Sequence, residues 1–233
     1  MEVIVLAGGM GTRLRAAVPD LPKPMAPIGA RPFLEVLIES LKRKGFRRVI
    51  LSVGYKAEVI EAYFARNPSD ALELVFEVES KPLGTGGAIA RALKKCREDH
   101  VFVVNGDTFL DFEADQMEAL WQRSRLPLIV GRKVSDTARY GRIEADESGR
   151  IYRFREKTDR GAGIINGGCY LLPTNIMDRF PPNKKFSFED DFLRSEVEIR
   201  EMRLFVTEGY FIDIGIPEEY QRAIGELAAM GYA

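Results

Sequence analysis

Apolar positions in the first hundred residues fall into short blocks whose period alternates. Residues 2–7 (EVIVLA) are apolar after the first position, the pattern of a strand covered on both faces. Over residues 32–44, Leu34, Leu37, Ile38 and Leu41 recur at helical spacing, and Gly45 stops the pattern. Arg48–Val53 is a second strand-like run, ending at Gly54. Val59, Ile60, Tyr63 and Phe64 mark a second helix, closed by Asn67-Pro68. Glu73–Val78 predicts a third strand, residues 86–96 a third helix, and Val101–Val104 a fourth strand that runs into "NGD". This alternation predicts an α/β, Rossmann-like fold: a mostly parallel sheet with helices on both faces. Such sheets bind ligands beyond the carboxyl ends of their strands. Three loops lie at such ends, 8–15, 79–87 and 105–108.

The pattern changes after residue 125. Pro127–Arg132, Gly141–Ala145 and Arg150–Glu156 read as antiparallel strands, the last two joined by a turn at Glu147-Ser-Gly149, and 164–172 continues in that style. Phe205–Val206, "GYFIDIG" and a helix from Pro217 to about Met230 follow. The expectation is one domain over 1–233, with 1–108 and 186–233 as the core and 109–185 as a small inserted antiparallel lobe.

Composition narrows the function. Lys+Arg total 34 and Asp+Glu 35, a net charge of −1, so general binding to nucleic acid or membrane is not expected. No run approaches the ~18 apolar residues of a membrane span, and a strand-like N-terminus without a secretory signal leads us to expect a cytoplasmic protein. Cys96 and Cys169 are isolated and fit no disulfide or metal pattern. The one histidine, His100, precedes the fourth strand, which leaves little room for a histidine base or a Ser-His-Asp triad. The basic run "KRKGFRR" (42–48) reads as a solvated helix end, and "SFED" (187–190) as a capping box opening a helix.

The loop "LAGGMGTRLR" (6–15) follows the first strand directly. It lacks the third glycine of G-x-G-x-x-G, and no acidic ribose partner follows at a strand end ~20 residues on. It also lacks the Walker G-x-x-x-x-G-K-[ST]. Gly8, Gly9 and Gly11 still leave backbone N–H groups free to face oxygen anions, and Arg13 offers a planar fork of donors suited to phosphate. In "DLPKPMAPI" (20–28), Pro22 and Pro24 fix the backbone on either side of Lys23, which makes it a candidate second phosphate contact, with a solvent-exposed loop lysine as the rival reading.

Together, "LAGGMGTRLR", "LPKPMAPI", "PLGTGGAI" (82–89), "NGDTF" (105–109), "EK" (156–157), "INGGCYLL" (165–172) and "FIDIGIPEEY" (211–220) resemble the signature of the sugar 1-phosphate nucleotidyltransferases. The matches cover nearly the whole chain in family order. The resemblance implies the nucleotide-diphospho-sugar transferase fold, with 109–185 as its sugar-binding lobe. The implied reaction is attack of a sugar 1-phosphate oxygen on the α-phosphorus of a nucleoside triphosphate, with pyrophosphate leaving. Within the family, "RYG" (139–141), "KFSFE" (185–189) and "FIDIG" look most like members that transfer guanylyl from GTP to a heptose 1-phosphate. Mannose 1-phosphate guanylyltransferases and N-acetylmuramate 1-phosphate uridylyltransferases are the alternatives, and a catalytically silent nucleotide- or sugar-sensing module is the rival from another class. A homo-oligomer stays open.

The resemblance also implies roles. Asp107 and Asp213 match metal-binding aspartates, for Mg²⁺. Arg13 and Lys23 would hold the triphosphate, and Lys157 would contact the sugar phosphate beside Glu156 on the sugar hydroxyls. Gly141, Asn166 and Gly168 are further sugar-side candidates, although a buried amide holding a turn is a rival role for Asn166. The nucleotide would lie against Ala7, Gly8, Gly9, Gly11 and Thr12 on one side and Glu79, Gly84, Thr85 and Gly86 on the other. Thr85 could cap its helix. Glu79 is a guanine candidate, because adjacent N1 and N2 donors can reach one carboxylate; an exposed strand-end acid or a ribose contact are its rivals.

Overall fold

Four apolar, β-branched runs pair in parallel at the centre of the molecule: β1 (Glu2–Leu6), β4 (Arg48–Val53), β5 (Glu73–Val78) and β6 (His100–Asn105), in the order β6-β1-β4-β5. A short ribbon of β2 (Pro27–Ile28) and β3 (Arg31–Pro32) lies between the first two. The coordinates are a computed structural model and describe residues 1–11, 13–14, 18–69, 71–155, 161–181 and 183–232. Alternate side chains of β1 enter opposite cores. Val3 and Val5 pack with α1 (Phe33–Arg43), α2 (Ala57–Arg66), α4 (Ala114–Ser124) and α6 (Pro217–Ala229). Ile4 packs with α3 (Gly84–Ala92) and α5 (Arg194–Ile199). Helices thus cover both faces, as the alternation predicts.

Local chemistry explains the element ends. α1 closes with Gly45 at φ +88°, its N–H donating to Lys42 O at 3.0 Å while Phe46 N donates to Leu41 O at 3.2 Å. α3 begins two residues before the expected start and gives way to a 3-10 turn over Leu93–Lys95. The expected cap at Ser187 is present: its Oγ accepts from Asp190 N at 3.1 Å, and Asp191 Oδ2 accepts from Ser187 N at 2.7 Å. The helix it opens is a π turn over Phe188–Leu193 that runs into α5.

One element goes beyond expectation: α4 falls before residue 125, in a stretch to which neither a helix nor a strand was assigned. Its apolar signal is Ala114, Met117 and Trp121, the three buried residues of a helix whose Leu120 is exposed. The expected antiparallel strands are built onto the core sheet itself. β8 (Leu128–Val134), β9 (Arg142–Ala145), β10 (Ile151–Phe154) and β11 (Gly163–Pro173) continue the central sheet. β11 runs antiparallel to β6 and to β8, and β12 (Arg203–Thr207) joins β8 in parallel.

The strand order fixes where a site can form. The chain builds outward through β4 and β5, then returns to lay β6 on the other side of β1. The loops after β1 and β6 therefore diverge at one crevice. Gly106 N donates to Leu6 O at 2.9 Å, holding the two strand ends together. A second ribbon, β7 (Thr108–Leu110) with β13 (Phe211–Asp213), pairs Asp213 with Thr108 at the same crevice.

Candidate active site

Two clefts open at this crevice. The first, of about 630 Å³, is walled by Ala7, Gly8, Gly9, Gly11 and Arg13 on one side and by Glu79, Gly84 and Thr85 on the other. The second, of about 780 Å³, is lined by Gly141, Asn166, Gly168, Tyr170, Glu189 and Asp213 among others. Asn105, at the end of β6, borders both.

Lys23 sits between them. Pro22 is extended (φ −64°, ψ 143°), and a single 3-10 turn over Lys23–Met25 follows, so the two prolines fix the lysine as expected. Its Nζ lies 2.6 Å from Asp107 Oδ2 and 3.6 Å from Asp213 Oδ1, with the side chain 9% exposed. Asp213 Oδ1 also accepts from Gly215 N at 2.7 Å. A Cβ on residue 215 would lie 2.8 Å from that oxygen, so the glycine of "DIG" lets the carboxylate turn in. Ile214 N donates to Asp107 O at 3.0 Å, locking the two aspartate-bearing segments side by side.

The glycine loop divides by role. Gly11 has φ +56°, and a Cβ there would lie 2.6 Å from Lys23 Cβ, so this glycine seats the lysine. A Cβ on Gly8 would sit 3.3 Å from Glu79 Oε1. At Gly9 no described atom lies within 4 Å of the Cβ position, and the backbone faces open cleft. Arg13 is exposed at the cleft edge. Glu79 accepts from Leu83 N at 2.9 Å and Ser52 Oγ at 3.5 Å. Burial pushes its carboxyl above the ordinary carboxylate range, against the lowering effect of the Leu83 N–H.

Two candidates in "GTGG" have partners other than those expected. Gly86 is turned away from the cleft: its N–H donates to Phe186 O at 3.0 Å, and a Cβ would enter the Phe186 ring. Its missing side chain makes room for the chain's own segment 184–188. Thr85 does not cap its own helix. Its hydroxyl accepts from Phe188 N at 2.8 Å and donates to Glu189 Oε2 at 3.0 Å, so it caps the π turn instead.

On the sugar-side wall, β11 bulges against β8 between Asn166 and Tyr170, where Gly167 and Gly168 fall. Gly168 takes φ +69°. Asn166 holds this bulge: Oδ1 accepts from Gly168 N at 3.0 Å, and Nδ2 donates to Tyr170 Oη at 2.9 Å. Thr12, Glu156 and Lys157 lie outside the described residues. Asn105, Gly215, Ser52 and Glu189 went unrecognised in the sequence. "NGD" and "DIG" carried the signal for the first two; the others join residues distant in the chain.

Among the described residues, no group of three or more His, Cys, Asp or Glu side chains is arranged to hold a metal ion. The acidic pair acts on one cation position, which the Lys23 ammonium holds in this structure.

A sheet with this switch point, a glycine-walled cleft and paired aspartates describes a nucleotide-processing site. Residues 2–229 match the nucleotidyl transferase family, and the chain belongs to it. It is 42% identical over 220 residues to D-glycero-alpha-D-manno-heptose 1-phosphate guanylyltransferase of Campylobacter jejuni, covering 94% of this chain and 97% of that one. The enzyme of the same name from Aneurinibacillus thermoaerophilus is 41% identical over 228 residues, covering 97% and 98%. Among solved structures, HddC from Yersinia pseudotuberculosis is similar at TM-score 0.87 and 40% identity, covering 97% of this chain and 98% of that one. The same protein complexed with GMP-PN aligns at TM-score 0.85, with the same identity and coverage.

Proposed function

We propose that this chain transfers guanylyl from GTP to D-glycero-α-D-manno-heptose 1-phosphate, releasing pyrophosphate and forming GDP-heptose, with Mg²⁺ as its divalent ion. The reading rests above all on the Lys23 ammonium held between Asp107 and Asp213, where a glycine-walled cleft meets a polar one. The heptose-specific relatives support the choice of base and sugar.

The two carboxylates suit Mg²⁺, which takes one or two protein carboxylates and completes its octahedron with phosphate oxygens and water. When bound, the ion supplies neutralisation of charge between two polyanions. The rest falls to the protein. Gly8, Gly9 and Gly11 turn backbone N–H groups to the triphosphate, with Thr12 a further nucleotide contact. Arg13 and Lys23 stabilise charge on the departing pyrophosphate. Ala7 and Gly8 support the guanine, and the Glu79 side chain accepts its N1 and N2 hydrogens, while Gly84 and Thr85 close the far wall. Lys157 orients the sugar phosphate, and Glu156, Gly141, Asn166 and Gly168 the sugar. That phosphate is already ionised at neutral pH, so no histidine base is needed, and positioning dominates. On this reading 1–108 and 186–233 form the nucleotide side and 109–185 the sugar side, with Glu189 and Asp213 also serving the sugar cleft. The reaction belongs to the cytoplasm.

Pyrophosphate release from ATP, GTP, CTP, UTP and dTTP against heptose, mannose and N-acetylmuramate 1-phosphates tests the proposal. GTP with the heptose should be the best pair. UTP outperforming GTP would overturn the base assignment, and mannose outperforming heptose the sugar. Release from no pair would leave a silent binding module.

A further inference from the structure

The carboxylate of Glu189 is tied to both clefts. Oε2 accepts from the Thr85 hydroxyl at 3.0 Å, and Thr85 lines the nucleotide-side cleft. Oε1 accepts from Tyr170 Oη at 3.3 Å, and Tyr170 lines the other. Each of these hydroxyls has one proton to give, and both are committed to Glu189. Burial raises the Tyr170 phenol well above its ordinary value, so its proton stays in place. Tyr170 also accepts from Asn166 Nδ2 at 2.9 Å, which extends the chain of bonds to the β11 bulge.

The backbone beneath Glu189 is equally fixed. Phe188 is fully buried, its ring edge-on to Tyr170 with centroids 4.9 Å apart. The 184–188 segment presses on α3 where Gly84 and Gly86 leave room. The π turn then presents Glu189 and Asp190 to the second cleft, which Arg194 at the start of α5 also lines. Ser187 Oγ adds a long contact of 3.4 Å to Oε2. An ionised carboxylate offers about four acceptor positions. Among the described residues Tyr170 is the one hydroxyl on Oε1, so the described partners leave an acceptor position there for a ligand.

We propose that Glu189 is a specificity-determining residue of the sugar cleft: Oε1 accepts one hydroxyl of the bound sugar, and Thr85 fixes the carboxylate from the nucleotide side. The inference rests on the sugar-nucleotidyltransferase reading above. Thr85 is, in this account, a positioning residue for the sugar although it borders the nucleotide.

The test compares wild type, Glu189→Gln and Thr85→Val with GTP and either D-glycero-α-D-manno-heptose 1-phosphate or its monodeoxy analogues. Glu189→Gln should raise the KM of the parent sugar roughly ten- to hundredfold. Its GTP affinity by calorimetry should stay within about twofold, which also reports an intact fold. Wild type should penalise the loss of one particular hydroxyl, and Glu189→Gln should treat that analogue and the parent sugar alike. Thr85→Val should raise the sugar KM by less, and the double variant should be no worse than Glu189→Gln alone. An active wild type with an unchanged sugar KM in Glu189→Gln, or with the hydroxyl penalty kept, would overturn the inference and leave the function standing. An inactive wild type would instead overturn the function itself, and the inference with it.

Discussion

Gly9 and Gly11 stand two residues apart in one loop for different reasons. Gly11 is required by the chain, through its positive φ and the lysine packed against it. Gly9 has no described neighbour near its Cβ position, so a ligand lying on the backbone accounts for it best. The aspartates make a sharper case. Asp107→Asn and Asp213→Asn each remove half of the acidic pair while keeping its shape. Each should lower turnover roughly a hundredfold or more, with the thermal midpoint little changed. Pyrophosphate release and a thermal melt check both halves, and full activity in either variant would reject the metal assignment. Glu79 brings in pH. Its raised carboxyl means the folded state holds this proton more tightly than the unfolded state. Its contribution to stability therefore falls as pH rises from the unfolded value through the raised folded one. Glu79→Gln removes that loss, so the melting-point difference, variant minus wild type, should be greater at pH 7 than at pH 4. The same variant should raise the KM for GTP, because an amide cannot accept both guanine hydrogens.

At the scale of elements, α3 and the 184–188 segment are packed backbone to side chain across Gly86. Gly86→Ala forces a methyl into the Phe186 ring and should cost about 1–3 kcal/mol in urea unfolding. Gly225→Ala in α6 is the control, since no described atom lies within 4 Å of that Cβ position. It should add roughly 0.5–1 kcal/mol through helix propensity. These two glycines also mark what a sequence can reveal. β1, β4 and β6 were legible because buried parallel strands are largely apolar runs, β5 as a β-branched and aromatic run at the sheet edge, and α1 because its stripe has helical period. α4 was missed because three apolar residues set its register. The π turn was legible only as a cap at Ser187. The aspartates, Lys23 and the glycine loop could be picked out because their motifs are local. The path from Thr85 through Glu189 to Tyr170 was not, since only folding brings those residues together.

For the molecule as a whole, the strands of 109–185 share a sheet with the core. β11 is hydrogen-bonded to β6 on one side and β8 on the other, so neither part can keep its edge paired without the other. Urea unfolding should accordingly give coincident transitions by far-ultraviolet circular dichroism and by fluorescence of Trp121, the one tryptophan. A separate earlier transition would mean that the lobe folds on its own. The order of strands has a consequence for synthesis as well. β1 is made before the other strands of this sheet, yet one of its edges stays open until β6 is made, and the outer edge of β6 waits for β11, which ends at Pro173. Until then the nascent chain carries unpaired strand edges that can template pairing with other nascent chains. The finished sheet buries these central edges, so this aggregation hazard belongs to translation rather than to the folded protein.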